Sequence, residues 1–278
     1  MSELDFLKAA VLGVVQGLTE FLPVSSSAHL ALIQRWFGLE PDSPPLLLFD
    51  VVSHVGSVIA VAMVFAASFR RYFGRLMRET TSSWRRPRIA WRIAILGVTA
   101  SIPTAAIGLA FKDRFEAAFD NPTIIGVCLL VTGCLLAALV MIGRGRRGWT
   151  RFRWWQAGLV GVMQGLAILP GISRSGSTIC AASYCGLRRR WAAEFSFFIA
   201  VPAILGATVL KLRDTMNLPP DQLSAIPWGP VLLGGVISMV VGVVALKLLL
   251  GAVRRAKLHY FAVYCWLLGA AVLWFVRR

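Results

Sequence analysis

Charge is scarce in this 278-residue chain: Asp, Glu, Lys and Arg make up 15% of it, where soluble domains carry about 25%. Hydrophobic residues reach 57% and the mean hydropathy is +0.71, so there is more apolar surface than one aqueous core can hide. A soluble fold is excluded. Disorder is excluded too, since disordered chains are poor in aromatics and this one has 10 Trp and 16 Phe. Acidic residues are the rarest charges, 13 against 29 Lys and Arg, for a net charge of +16. A nucleic-acid partner would need a basic face on a soluble fold, but these cations sit in short clusters between apolar stretches. Cysteines number five, all in or at the ends of apolar segments and without metal-ligand spacing. That argues against a disulfide framework or a zinc site and for small buried hydrophobes. The opening MSELDFLKAAVLG has no basic region and no small-residue cleavage site, so its apolar run is expected to belong to the mature fold. The composition points to an all-α integral membrane protein.

A span needs about 20 largely apolar residues. Stretches 45–69, 89–111, 122–143, 228–250 and 258–276 qualify, and 191–210 does so with Glu194 near its start. Stretches 6–38 and 156–187 are apolar but interrupted by Pro, Gly, Ser and ionisable residues. Neither half of either could cross alone, and broken segments survive at membrane depth only where protein or a cavity surrounds them. Both are expected to be re-entrant hairpins. Cations test that layout. Eight Arg fall in 70–92, five in 144–153, three in 188–190, and Arg254, Arg255 and Lys257 follow the span 228–250. With returning hairpins all four clusters share one face, which the positive-inside rule makes cytoplasmic. The expectation is six transmembrane helices, two hairpins and both termini outside.

Residues 13–27, GVVQGLTEFLPVSSS, and 161–175, GVMQGLAILPGISRS, match at seven of fifteen positions. Their offset of 148 is about half the chain, so residues 1–278 read as one membrane domain of two repeats, 1–143 and 156–278. Each repeat is a hairpin followed by three spans, and three being odd, the second half must be inverted. Inverted repeats bring their broken helices together near the midplane, where transporters keep their sites.

Ionisable groups at membrane depth are costly and usually functional. The first hairpin offers Glu20 and His29, with Gln16, Ser25, Ser26 and Ser27. Gln16 and Glu20 are four apart and share a helix face, and the Pro23 break turns the serines and His29 back toward them. In the second hairpin PGISRSGST supplies Gly171 and Gly176 for close backbone approach, and Ser173, Ser175, Ser177 and Thr178 at a helix start suited to an anion. Arg174 adds a forked cation that fits phosphate oxygens, although it could also pair with Glu20. A phosphate cradle is the expected use. Asp50 and His54 share a face of the third helix and could support the site. Glu194, near a helix N-terminus, and His259, near a helix start, read as bland.

With those residues in view, the chain resembles the undecaprenyl pyrophosphate phosphatase, or bacitracin-resistance, family of bacterial inner membranes. QGLTEFLPVSSSAH (16–29) and LPGISRSGST (169–178) look like its two signature segments, and the likeness covers nearly the full length. The resemblance implies hydrolysis of the C55 isoprenoid diphosphate to the monophosphate and phosphate, recycling the lipid carrier of peptidoglycan synthesis. It further implies a divalent metal, Mg²⁺ or Ca²⁺, a multi-pass protein of the inner membrane, and a site open to the periplasm. By that likeness Gln16 and Glu20 fall on the acidic motif, Ser26 and His29 on the catalytic loop, and Arg174 on the phosphate-binding Arg. Many members carry Glu where this chain has Gln16, so a metal-ligand role there is the weaker expectation. Ser26 is expected as nucleophile and His29 as base, with a phospho-histidine or direct attack by water left open. The rival reading is a transporter or lipid flippase using the same site. The oligomeric state stays open, a homodimer included.

Overall fold

A computed structural model describes residues 4–41, 43–81, 89–141, 145–217, 219 and 226–277. The described residues are helical, with one short 3₁₀ turn and a single isolated bridge between Arg147 and Leu187. The first hairpin is α1 (Phe6–Phe21) and α2 (Ser26–Trp36), followed by α3 (Pro44–Val64), α4 (Ala66–Thr81), α5 (Ile89–Ala110), α6 (Lys112–Phe119) and α7 (Pro122–Ala138). The second is α8 (Trp154–Leu166) and α9 (Arg174–Tyr184), followed by α10 (Arg189–Met216), α11 (Trp228–Arg254) and α12 (Tyr260–Val276). Arg85, Arg86, Arg88, Arg144 and Arg278 lie outside the described residues.

All six expected spans are helices. Four (α3, α5, α10 and α11) are long and apolar enough to cross by themselves. Helices α7 and α12 have 17 residues each, about 25 Å at 1.5 Å per residue, the lower limit for a span. The span expected over 45–69 is shorter than that: α3 stops at Val64, and α4 is a separate, basic amphipathic helix. Helix α6 meets α7 at a 100° bend.

Both hairpins end by the same device. The returning helix closes on a left-handed glycine, Gly38 (φ 65°) or Gly186 (φ 82°). The amides of Leu39 and Leu187 then reach back to the carbonyls of Gln34 and Ala182, a Schellman closure. These residues too are 148 apart, so the repeat runs past the segment that shows it plainly in sequence.

The hairpins enter from opposite ends of the molecule. At one end Leu4, Leu39, Leu46 and Ile226 pack in one cluster, holding both ends of the first hairpin together. At the other, Gln156 of α8 donates to the carbonyl of Cys185 after α9, and Arg147 pairs its backbone with Gly186 and Arg188. The cation clusters gather at this second end. Arg92 donates to the carbonyls of Trp149 and Phe152, and Arg189 lines one cavity with Val253, Ala256 and His259.

Packing between the halves is reciprocal: α1 packs mainly on α11, and α8 mainly on α5. Both contacts are made by glycines. A Cβ on Gly13 would strike the carbonyl of Gly234, and one on Gly161 the carbonyl of Ala100. Small residues let helix backbones approach where lipid supplies no hydrophobic drive. The five cysteines are free, four of them buried.

Candidate active site

The two hairpin tips meet, and each returning helix offers its N-terminus. Ser26 is the first residue of α2 and Arg174 the first of α9, equivalent positions in the repeat, 148 apart. Helix N-termini carry free N–H groups and partial positive charge, so two of them together form a natural anion site. The tips interlock by hydrogen bonds. Gly171 N–H donates to Ser25 Oγ (3.0 Å) and Ser175 Oγ to the Leu22 carbonyl (3.4 Å). Gly176 packs so closely that an added Cβ would lie 3.3 Å from Pro23 Cβ. Gly171 has φ +100°, and a Cβ added there would lie 2.6 Å from both Cys128 Cβ and the Ile125 carbonyl oxygen of α7. Only glycine suits that place.

Glu20 holds the centre. Its side chain is 4% exposed and makes an ion pair with Arg174 through Oε1. Its other oxygen, Oε2, accepts from Ser26 Oγ at 2.6 Å and from Gln16 Nε2 at 3.1 Å. A hydroxyl donating to a carboxylate, with a guanidinium on the carboxylate's far side, is a constellation able to supply a nucleophile, a base and a phosphate-binding cation. Ser26 follows directly on Ser25, whose φ of 72° is unusual for a residue with a side chain. The hydroxyl thus stands on a sharp elbow at a helix start.

A model of the bacitracin resistance protein BacA family matches residues 9–271. The chain belongs to that family. It is 42% identical to the undecaprenyl-diphosphatase of Desulfatibacillum aliphaticivorans, over 97% of this chain and 98% of that protein. It is 39% identical to the undecaprenyl-diphosphatase of Alkaliphilus metalliredigens, over 96% and 98%. With the undecaprenyl-diphosphatase of Carboxydothermus hydrogenoformans it shares 40% identity over 97% of both.

In this BacA-family chain the expected Ser26–His29 pair is not formed. His29 Nδ1 bonds the Ser25 carbonyl at 2.7 Å and Nε2 the Tyr264 hydroxyl at 2.6 Å, with the two rings stacked. A carbonyl only accepts, so Nδ1 carries the proton and Nε2 accepts from Tyr264. Both ring nitrogens are therefore committed, and the group that Ser26 meets is the Glu20 carboxylate.

The expected cradle is also narrower than nine residues. Ser173 Oγ caps the Gly176 amide (3.1 Å) and sits 3.3 Å from Ser175 Oγ. Ser173 N–H donates to Thr132 Oγ1, which donates to the Gly171 carbonyl. Thr178 binds the Arg174 carbonyl (2.7 Å) and Ser196 Oγ (2.5 Å), while Ser27 pairs with Ser25 at 3.2 Å. These hydroxyls and the Gly171, Ser173 and Gly176 amides build the loops instead of facing a ligand. Ser177 Oγ is buried and, among the described residues, has no hydrogen-bond partner. Thr132, Ser196 and Tyr264 were invisible to the sequence reading, because a lone hydroxyl in an apolar helix carries no local signal and their partners are distant in sequence.

Among the described residues no group of three His, Cys, Asp or Glu could hold a metal. What fits a hard cation is an oxygen pair. Gln16 Oε1 is buried without a partner, on a side chain already bonded to Glu20. Asp50 does not reach this centre; it forms an ion pair with Lys211 of α10. His54 binds the Asp50 carbonyl through Nδ1 (2.6 Å). Glu194 pairs with Arg190 at 3.0 Å, and His259 stacks on Tyr260.

Proposed function

We propose that this protein hydrolyses undecaprenyl diphosphate to undecaprenyl phosphate and inorganic phosphate, recycling the lipid carrier of cell-wall synthesis and so conferring bacitracin resistance. Family membership and the undecaprenyl-diphosphatase relatives support the reaction. One observation carries the mechanism: Ser26 donates to Glu20, whose other oxygen pairs with Arg174. A diphosphate entering between the helix ends draws Arg174 from Glu20 onto its terminal phosphoryl group. Glu20 then takes the Ser26 proton, and Oγ attacks the terminal phosphorus. The bond to the bridging oxygen breaks and the prenyl monophosphate leaves. Glu20 passes that proton to the departing monophosphate and then deprotonates the water that attacks the phosphoserine. The bond from phosphorus to Ser26 Oγ breaks, phosphate leaves, and Glu20 returns the proton to Ser26. Arg174 and the α2 and α9 N-termini stabilise the charge that develops. His29, held by Tyr264, fixes the Ser25 elbow and is a positioning residue. A transporter needs binding groups alone, so a serine on a carboxylate base favours the hydrolase.

A divalent cation, Mg²⁺ or Ca²⁺, would be held by Glu20 and the Gln16 amide oxygen with substrate oxygens completing its shell, and supplies further positive charge against the diphosphate. We assign the two repeats to 1–143 and 156–278, and the cation-rich end to the cytoplasm. The first hairpin then opens to the periplasm. The test is single-turnover hydrolysis by purified protein with acid quench. Phosphoserine at Ser26 is expected, with Ser26→Ala and Glu20→Gln inactive and His29→Gln only partly impaired. A phospho-histidine, or full turnover by Ser26→Ala, would reverse the assignment.

A further inference from the structure

At the cation-rich end a cavity of about 270 Å³ opens between α4, α5, α10 and the 3₁₀ turn, its inner wall at Phe197 and Phe198 and its mouth at the start of α10. Its chemistry is graded with depth. Arg190 and Trp191 stand at the start of α10, and Phe197 and Phe198 line the same cavity. Eight residues of helix separate Arg190 from Phe198, or about 12 Å. Phe65, ending α3, packs on Phe197, and Tyr72 of α4 packs edge-on against Phe198.

Three guanidinium groups surround the mouth: Arg71 and Arg75, one turn apart on α4, and Arg190. Arg190 donates through Nε to Glu194 and lies over the Trp191 ring, which leaves its terminal nitrogens without a part in either contact. Among the described residues Arg71 hydrogen-bonds Ser68 and Arg75 has no hydrogen-bond or ion-pair partner. Among the described lining residues Glu194 is the one acidic group, and its carboxylate is already taken by Arg190; nearby Glu79 accepts from the Ala90 and Trp91 amides. A net cationic mouth over an aromatic interior suits neither free phosphate, which has no use for the interior, nor an uncharged chain. Helix α4 also turns Phe73 and Met77 outward beside its arginines, as a helix lying in a membrane interface does.

We infer that this cavity binds an anionic glycerophospholipid of the leaflet it faces, with the phosphodiester between Arg71, Arg75 and Arg190 and the start of an acyl chain among the phenylalanines. Basic pockets between membrane helices take lipid headgroups in this way. Neither Glu20 nor Arg174 lines the cavity, and the test reads lipid binding, so the proposal stands or falls independently of the hydrolysis mechanism.

Native mass spectrometry on the purified full-length protein, equilibrated with phosphatidylglycerol or with phosphatidylcholine of the same chains, decides the matter. Wild type should retain phosphatidylglycerol preferentially, and Arg71→Gln with Arg75→Gln should lower that retention roughly tenfold. Arg254→Gln with Arg255→Gln, in another basic cluster, should retain it fully. Thermal midpoint and hydrolysis rate check that the variants fold; if the double variant does not, the single Arg71→Gln and Arg75→Gln should each lose several-fold. Equal retention of the two lipids, unchanged retention by the Arg71 and Arg75 variants, or equal loss by the Arg254 and Arg255 variant would overturn the assignment. Displacement of the lipid by inorganic phosphate alone would overturn it as well, reducing the site to a simple anion pocket.

Discussion

Ser25 is held at φ 72°, a conformation that costs on the order of 1–3 kcal/mol for such a residue. Three contacts over-determine it: its carbonyl accepts from His29, its hydroxyl accepts from the Gly171 amide, and that hydroxyl also lies against Ser27. The result is a fixed hydroxyl at Ser26, aimed at Glu20. In the proposed mechanism Arg174 both neutralises Glu20 and grips a phosphoryl group, and its planar fork already serves two partners: one arm holds Glu20 and the other approaches the Ala200 carbonyl at 3.5 Å. Lysine keeps the charge without the fork. Arg174→Lys should therefore lose about 2.7–4 kcal/mol of transition-state stabilisation, roughly a hundred- to a thousandfold in turnover, read from initial rates of phosphate release. Arg254→Lys, exposed at the end of α11, should be as active as wild type. Near-normal rates for Arg174→Lys would remove it from the chemistry.

The helices place these residues by packing that tolerates no side chain. On α1, Gly13 and Gly17 bring the backbone against α11, and on α8, Gly161 and Gly165 do the same against α5. Thr104 of α5 reinforces the second crossing by donating to the Gly161 carbonyl at 2.9 Å. A methyl at Gly161 would run into the backbone of Ala100, which cannot rotate away, whereas Gly158 on the same helix has open space around it. Overpacking of this kind costs typically 1–3 kcal/mol, while Gly→Ala at an open helical position gains up to about 1 kcal/mol. Thermal unfolding in detergent should show a lower midpoint for Gly161→Ala and an equal or higher one for Gly158→Ala. The same midpoint for both would mean that the crossing yields, and that the α5–α8 contact does not set the position of the second hairpin.

Across the whole molecule, charge and repeat make one statement about orientation. The described members of all four cation clusters sit at one end, joined by the Arg147–Leu187 bridge and by Arg92 on the 3₁₀ turn, while the first hairpin closes at the other. The positive-inside rule is the ground for the proposal that this end faces the cytoplasm. In a background free of native cysteines, Thr150→Cys should be shielded from an impermeant thiol reagent in intact cells, and Glu116→Cys on α6 should react. Labelling of Thr150→Cys from outside would turn the molecule over and move the opening of the first hairpin to the cytoplasm.

Sequence alone determined the membrane class, the six spans and the two hairpins, because apolar length and the Pro, Gly and Ser breaks are local properties that the bilayer enforces on any chain. It also singled out Glu20, His29 and Arg174 as ionisable groups at membrane depth, and the structure brings Glu20 and Arg174 together. What it could not settle was who bonds to whom. Whether Ser26 meets Glu20 or His29 depends on Tyr264, 235 residues further on, and on a side-chain rotation that no spacing encodes. The glycines, serines and threonine of 171–178 looked like ligand groups because the same donors that cradle a phosphate also close a tight loop. Only the arrival of Thr132, Ser196 and the first hairpin's own tip, by tertiary packing, showed where most of those donors are used.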